Sequence, residues 1–374
     1  VASLARRNLF HDKVRLAVTL TGIVFAIVLI IVQLGLFIGF TSATSGIIDH
    51  SQVDIWIGSK GLQNFDIASP FSERKFYQVL ATPGVALAEK YIVRFANWKR
   101  PDGGEESVEI IGFNPDTLVG GPWNVTVGKV QDLKMADTVF IDETYKEKLG
   151  VTHLGQVVEI RGHRARIVGF TRGIRSFTTS PFVFTSFKNA QTYTGLNEDQ
   201  VIYILVKAIP GMDLQALKHQ LAVRVSDVDV YTTAEFSKKT QNYWMFTTGA
   251  GVALIIAALM GLIVGVVVVA QTIYATTVDH LREFGTLKAM GASNSYIYRI
   301  IIKQAVMSAT LGYVLGIGVS IILVHMSRGG GAVILLPWQL AVGMFGLTLL
   351  MCMSAAMISI NKVTHIDPAM VFKG

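Results

Sequence analysis

The sequence predicts an α-helical membrane protein with four transmembrane helices in a 1+3 arrangement and a large α+β extracytoplasmic domain between the first and the second. Three observations predict it. The 374 residues are 51% hydrophobic and only 16% charged, a balance foreign to soluble domains. Four stretches lack Asp, Glu, Lys and Arg for longer than the about 20 residues that cross a hydrocarbon core. The long segment between the first two stretches is ordinary in composition, with 22 Lys+Arg and 22 Asp+Glu over residues 45–240.

The first span, 16–41, has its apolar body at Leu16–Phe40, between Arg15 and Asp49. A secretory signal has an apolar region of about 7–15 residues, so this longer one reads as an uncleaved anchor. Val1 is not a methionine, and a few upstream residues are expected. The second span, 244–272, lies between Lys239 and Asp279; the third, 297–327, carries Arg299 and Lys303 at its inner end; the fourth, 335–360, lies between Arg328 and Lys362. A charge at mid-bilayer costs about 2.5–3.5 kcal/mol, so four such gaps do not arise by chance.

Orientation follows from the basic flanks. Arg6, Arg7, Lys13 and Arg15 precede span one, Arg282, Lys288, Arg299 and Lys303 lie between spans two and three, and Lys362 and Lys373 follow span four. The positive-inside rule places residues 1–15, the loop 273–296 and the tail 361–374 in the cytoplasm. The net charge of +7 thereby records topology and is no nucleic-acid footprint. The single cysteine, Cys352, excludes an internal disulfide framework.

Within 45–240 the pattern turns to strands and amphipathic helices. Strands are expected at 54–58, 91–99 and 107–113, the last two joined by the Pro101-Asp102-Gly103-Gly104 turn, and a helix at 72–81 with Ser72 as its N-cap. A strand at 201–207, a helix at 213–224 and a strand at 228–232 close the segment. The middle, about 114–200, reads as an inserted subdomain with a strand at 138–142, a short helix to Leu149 and a hairpin of 157–160 with 165–170. His153 and His163 have no companions at metal-ligand spacing, and no nucleophile elbow occurs; neither catalytic residues nor metal ligands are expected. Two loops carry exposed-looking rings, Trp123 after Gly120-Gly121-Pro122 and Phe177 after Gly173-Ile174-Arg175-Ser176. Each is either a partner contact or a cap on the domain's own core.

The loop between spans two and three holds an amphipathic helix in which Leu281, Phe284, Leu287 and Lys288 share a face, Arg282 and Glu283 lie beside it, and Gly291 ends it. Its residues Arg282-Glu283-Phe284-Gly285-x-Leu287-Lys288-Ala289-Met290-Gly291-Ala292 closely resemble the R-E-[IFY]-G-x-L-[RK]-A-[ILM]-G-A signature of MacB/FtsX-type ABC transporter permeases. The resemblance covers the whole chain, from an amphipathic lead at Ala5-Arg6-Arg7-Asn8-Leu9 to a cytoplasmic ending at Ile366-Asp367-Pro368-Ala369, and is greatest to the DevC branch, whose permease has no fused ATPase. His280 and Gln304 depart from the family's usual arginine and glutamate.

The resemblance implies Porter-like and Sabre-like subdomains, a homodimer of permease copies, and a coupling helix that docks Leu281, Arg282, Glu283, Phe284, Leu287, Lys288 and Gly291 on a separate ABC ATPase. It also implies a membrane-fusion adaptor and an outer-membrane channel as partners. No P-loop is present: Gly128-Lys129 is followed by Val130, and Trp123 occupies the place of the upstream glycine. This chain is therefore expected to bind no cofactor, with ATP and Mg held by the partner. Gly35 and Gly39, and Gly261 and Gly265, form small-xxx-small pairs that allow helices to approach closely; they are expected where the first span meets the second. No span body contains Asp, Glu, Lys or Arg, and the only histidine is His325 near an outer end, so a proton relay has little to work with. The family's mechanotransmission mechanism fits that pattern, and signalling to a cell-wall hydrolase or lipoprotein extraction would use the same motion.

Overall fold

The computed structural model describes residues 13–178, 180–279, 286, 290, 292–327 and 334–364. In chain order its elements are α1 (Lys13–Asp49), β1 (Ile55–Ser59), β2 (Phe71–Ser72), α2 (Arg74–Leu80), β3 (Val85–Lys99), β4 (Glu105–Phe113), β5 (Val125–Val127) and β6 (Thr138–Asp142). There follow α3 (Lys146–Leu149), β7 (Val157–Ile160), β8 (His163–Thr171), β9 (Phe182–Ser186), α4 (Phe187–Thr194), β10 (Gln200–Val201) and β11 (Tyr203–Ala208). The last are α5 (Leu214–Arg224), β12 (Val228–Thr232), α6 (Thr233–Asn242), a π-helical turn at Tyr243–Thr247, α7 (Ala250–Asp279), α8 (Asn294–Ser327) and α9 (Trp338–Thr364). Two compact units result, Val1–Gly39 with Gly251–Gly374, and Phe40–Ala250.

The first unit is helical. Among the described residues four helices, within Leu16–Asp49, Ala250–Thr272, Asn294–Ser327 and Trp338–Met357, are long and apolar enough to cross a membrane. Their shared core takes Ile23, Ala26, Ile27 and Ile30 from α1, Ile300 and Ala305 from α8, and Met351 and Ala355 from α9. Glycines set the close approaches. A Cβ on Gly316 would lie 2.9 Å from Ile27 Cγ2 and one on Gly261 2.9 Å from Leu29 Cδ2, while Gly312 faces Ile23 and Gly265 faces Ala26 and Met351. Gly35 does not face the second span. Its carbonyl accepts the Leu335 N–H at 3.1 Å and a Cβ there would strike Ile334 Cγ2 at 2.6 Å, so a backbone approach from the segment before α9 explains that glycine. Gly39 is buried.

α7 shows a second face, with Ile256, Leu259, Met260, Ile263 and Val267 all exposed. At helical spacing these form a stripe, and Gly261 and Gly265 lie off it.

The second unit is a ten-stranded sheet of order β12-β1-β11-β3-β4-β9-β6-β8-β5, with β7 against β3 and β8; β2 and β10 form a separate small pair. The strands of 114–200 continue the sheet through the parallel β4–β9 pairing. One core layer sets Val79 of α2 and Leu217 and Leu221 of α5 on Ile55, Ile57, Ile204 and Val206. A larger layer gathers Trp56, Phe65, Tyr91, Ile111, Phe113, Tyr203 and Phe236. Helix α4 packs on β3 and β4, where Gly112 leaves room for Ala190.

Two local readings change. Glu73, not Ser72, is the N-cap of α2 and makes no side-chain cap bond; Ser72, one residue earlier in the bridge to Gln200, accepts the Arg74 N–H on its Oγ at 3.3 Å. Strand β3 begins at Val85, well before Tyr91, since its first half pairs with β11 and its second half with β4.

The glycine contacts give a paired test. Gly316→Val forces α8 off Ile27 and should cost about 1–3 kcal/mol, lowering the melting temperature of the purified chain. Gly318→Val, at a position with nothing within 4 Å, should leave it unchanged; equal effects would contradict the packing.

Candidate functional site

The α/β domain meets its flanking helical segments at one junction. There the last turns of α1 lie against α6 and the π turn. Helix α6 is started by a capping box: Thr232 Oγ1 accepts the Glu235 N–H at 3.3 Å, and Glu235 Oε2 accepts the Thr232 N–H at 2.9 Å. Partial burial opposes ionisation of Glu235, but hydrogen bonds from Lys218, the Thr232 amide and Gln215 outweigh it and hold the carboxyl at about 2. The cap therefore stays charged at any physiological pH. After Asn242 the helix widens into the π turn, a feature that marks functional positions in many helices. Gly249 then takes φ +81°, a left-handed conformation that suits glycine, before α7 begins.

Side chains stitch the two segments together. Gln241 Nε2 donates to Ser45 Oγ at 2.8 Å, Ser45 Oγ donates to Asp49 Oδ2 at 2.7 Å, and Thr41 Oγ1 donates to Met245 Sδ at 3.1 Å. Phe177 lies between them, edge-on to Phe40 at 5.2 Å and tilted on Trp244 at 4.4 Å. Its loop is held by Asp142, which accepts the Ile174 N–H at 2.8 Å and the Thr171 hydroxyl at 3.1 Å. Trp123 stacks flat on His50 at 4.1 Å, just past the end of α1, and its loop is tied by Gly120 N–H to Ser51 O and by the Tyr91 hydroxyl to Gly120 O. Trp123 and Phe177, singled out in sequence as partner contacts or core caps, are both half-buried and pack on the chain's own junction.

The junction also reaches into the domain's interior. Trp244 Nε1 donates to Asp66 Oδ2 at 2.9 Å. Asp66 is directed inward by the turn that Asn64 makes, its Oδ1 accepting from the amides of Asp66 and Ile67 at 3.0 and 2.9 Å. That turn is fixed by the Tyr203 hydroxyl, which donates to Phe65 O at 2.7 Å. Beside Asp66 lies Glu109 of β4, fully buried, neither carboxyl oxygen having a geometric hydrogen-bond donor. Burial, and then the neighbouring carboxyl, pushes Glu109 well above the usual range, and burial raises Asp66 to about 6. The sequence reading missed Asp66, Glu109 and the polar role of Trp244. Glu109 could have been flagged, since period-two alternation sets it on the face of Ile111 and Phe113.

The coupling residues Leu281, Arg282, Glu283, Phe284, Leu287, Lys288 and Gly291 lie outside the described residues. Among the described residues no group of three or more His, Cys, Asp or Glu could hold a metal ion.

Residues 16–223 match the family model of the MacB-like periplasmic core domain, and 239–368 that of the FtsX-like permease C-terminal region. The chain belongs to the MacB/FtsX-type family of ABC transporter permeases. An uncharacterized ABC transporter permease of Mycobacterium tuberculosis (strain ATCC 25618 / H37Rv) is 24% identical over 99% of this chain and 99% of its own length. The uncharacterized ABC transporter permease YknZ of Bacillus subtilis is 24% identical over 58% of this chain and 55% of that protein. Among solved structures, the periplasmic region of MacB from Actinobacillus actinomycetemcomitans aligns at a TM-score of 0.39 and 11% identity, covering 51% of this chain and 94% of that one. An ABC permease of this family works with an ATPase.

The Phe177–Trp244 contact can be measured. In a double-mutant cycle of Phe177→Ala and Trp244→Ala, the tilted ring pair should give a coupling of about 0.5–1.5 kcal/mol in unfolding; strict additivity would contradict the stitched junction.

Proposed function

We propose that this chain is the permease subunit of an ABC exporter that works by mechanotransmission. A separate ATPase binds ATP and Mg, grips the cytoplasmic loop 273–296, and drives motion that passes along the first two spans to the outer domain. That domain moves substrate outside the membrane, with an adaptor and, in a cell that has an outer membrane, a channel beyond it. The chain works as a homodimer, with both termini cytoplasmic and the large domain periplasmic. The exposed stripe of α7 is the face that supports a second copy.

The junction is the observation that carries the reading. Helix α1 is 37 residues long, about 55 Å at 1.5 Å per residue, against an apolar core of about 30 Å. It has length to spare beyond a bilayer, and its last turns are bonded to the segment that precedes α7. Helices joined in this way shift together when one is pushed. The absence of Asp, Glu, Lys and Arg from the span bodies supports a route for substrate other than through these helices.

By the family resemblance, the loop helix docks its apolar side in a cleft of the ATPase, with Glu283 making the polar contact. Phe284→Asp and Glu283→Lys should insert normally in the membrane yet lose copurification of the ATPase. Retained copurification with full ATPase activity in both variants would overturn the assignment. Partners recovered with the intact chain decide what the motion serves: a coiled-coil adaptor supports export, whereas a peptidoglycan hydrolase without an adaptor would replace it with signalling.

A further inference from the structure

Two carboxyl groups are buried side by side beneath the junction, where no lysine, arginine or histidine among the described residues forms an ion pair with either. An uncompensated pair of negative charges in such a place is strongly unfavourable. Asp66 has a use for its charge, the indole N–H of Trp244 at 2.9 Å. Glu109 has none: both of its oxygens are without a donor. A proton on one Glu109 oxygen, donated to Asp66, gives that oxygen a partner and removes one of the two buried charges. The titratable groups that face them are Tyr91 of β3 and Tyr203 of β11, and the same burial pushes both phenols far above their ordinary value. Neither can supply positive charge.

We propose that Asp66 and Glu109 share one buried proton, and that uptake of a second proton weakens the Trp244 bond and loosens the π turn that leads into α7. The pair is thus a pH-sensitive latch inside the α/β domain. With one proton, the bond from Trp244 ends on a carboxylate; with two, it ends on a neutral acid, and charge-assisted hydrogen bonds are roughly twice as strong as neutral ones. The second step belongs to the pair as a unit and falls near the value of about 6 to which Asp66 is raised. The sign is that of a carboxyl raised by folding: the native chain keeps a proton that the unfolded chain has lost. The contribution of Asp66 to domain stability therefore falls as pH rises from about 4 to about 6, while the hold on Trp244 tightens over the same interval. Glu109 is the member that holds the shared proton, since both of its oxygens lack a donor and burial, then the neighbouring carboxyl, push it well above its ordinary range.

The shared proton rests on the domain's interior alone; only its effect on transport rests on the coupling reading. The test uses the full chain in lipid nanodiscs. Infrared spectra should show a protonated-carboxyl band at pH 7 that Glu109→Gln removes, and a second band growing below about pH 6 that Asp66→Asn removes. The chain has five tryptophans; with 5-fluorotryptophan in their place, the fluorine resonance assigned by Trp244→Phe should move with a midpoint near 6, and should not move in Asp66→Asn. Absence of a protonated carboxyl at pH 7, as a metal cation held between two carboxylates would produce, overturns the proposal. So does a Trp244 resonance indifferent to pH in the unmutated chain, a result that needs no variant to fold. A titrating Trp244 with an ATPase rate of the assembled complex indifferent to pH supports the latch and counts against the coupling reading alone.

Discussion

The hydrogen bond from Trp244 to Asp66 ties the turn that precedes the second membrane helix to the deepest layer of the α/β domain. Around it the other parts of the junction fall into place. Asn64 and Tyr203 aim the carboxylate, Phe177 covers the indole and reaches Phe40, and Gln241 fastens α6 to Ser45 of α1. A carboxylate is a costly thing to bury, and a second one beside it more so. The domain tolerates the pair because one proton can neutralise one of its members. The strength of the central bond then depends on how many protons the pair holds.

The membrane helices obey a different constraint. Apolar side chains gain little by leaving lipid for one another, so close approach and complementary shape govern their packing. Gly261, Gly265, Gly312 and Gly316 meet Leu29, Ala26, Ile23 and Ile27 of α1, which makes the first helix the centre of its unit. The same helix is packed by its neighbours along its apolar part and bonded to α6 beyond Phe40.

Much of this was legible in sequence, for reasons that differ by element. The four spans announce themselves because bilayer thickness sets a minimum length and charge is excluded from it; Arg299 and Lys303 fall within the first turns of α8. Strands with turn residues at both ends, such as 138–142 and the 157–170 hairpin, were equally readable. Strand β9 and helix α4 were not, because Phe182-Val183-Phe184 is a short apolar run buried on both faces and lacks the alternation that marks a half-exposed strand. Gly35 misled, since a small residue declares close approach without naming what approaches. Asp66, Glu109 and Trp244 stand far apart in the chain, the last bond spanning 178 residues, and no spacing rule joins them. Family membership, by contrast, was legible in the loop motif Arg282-Glu283-Phe284-Gly285, which lies outside the described residues.

The central claim is that events at the ATPase reach the junction at Phe40–Asp49 and Thr233–Thr247. Hydrogen exchange of the assembled permease–ATPase complex, with and without ATP and Mg, tests it most directly. Nucleotide should change exchange in both junction segments together. A response confined to the loop 273–296, with both junction segments unchanged, would contradict it.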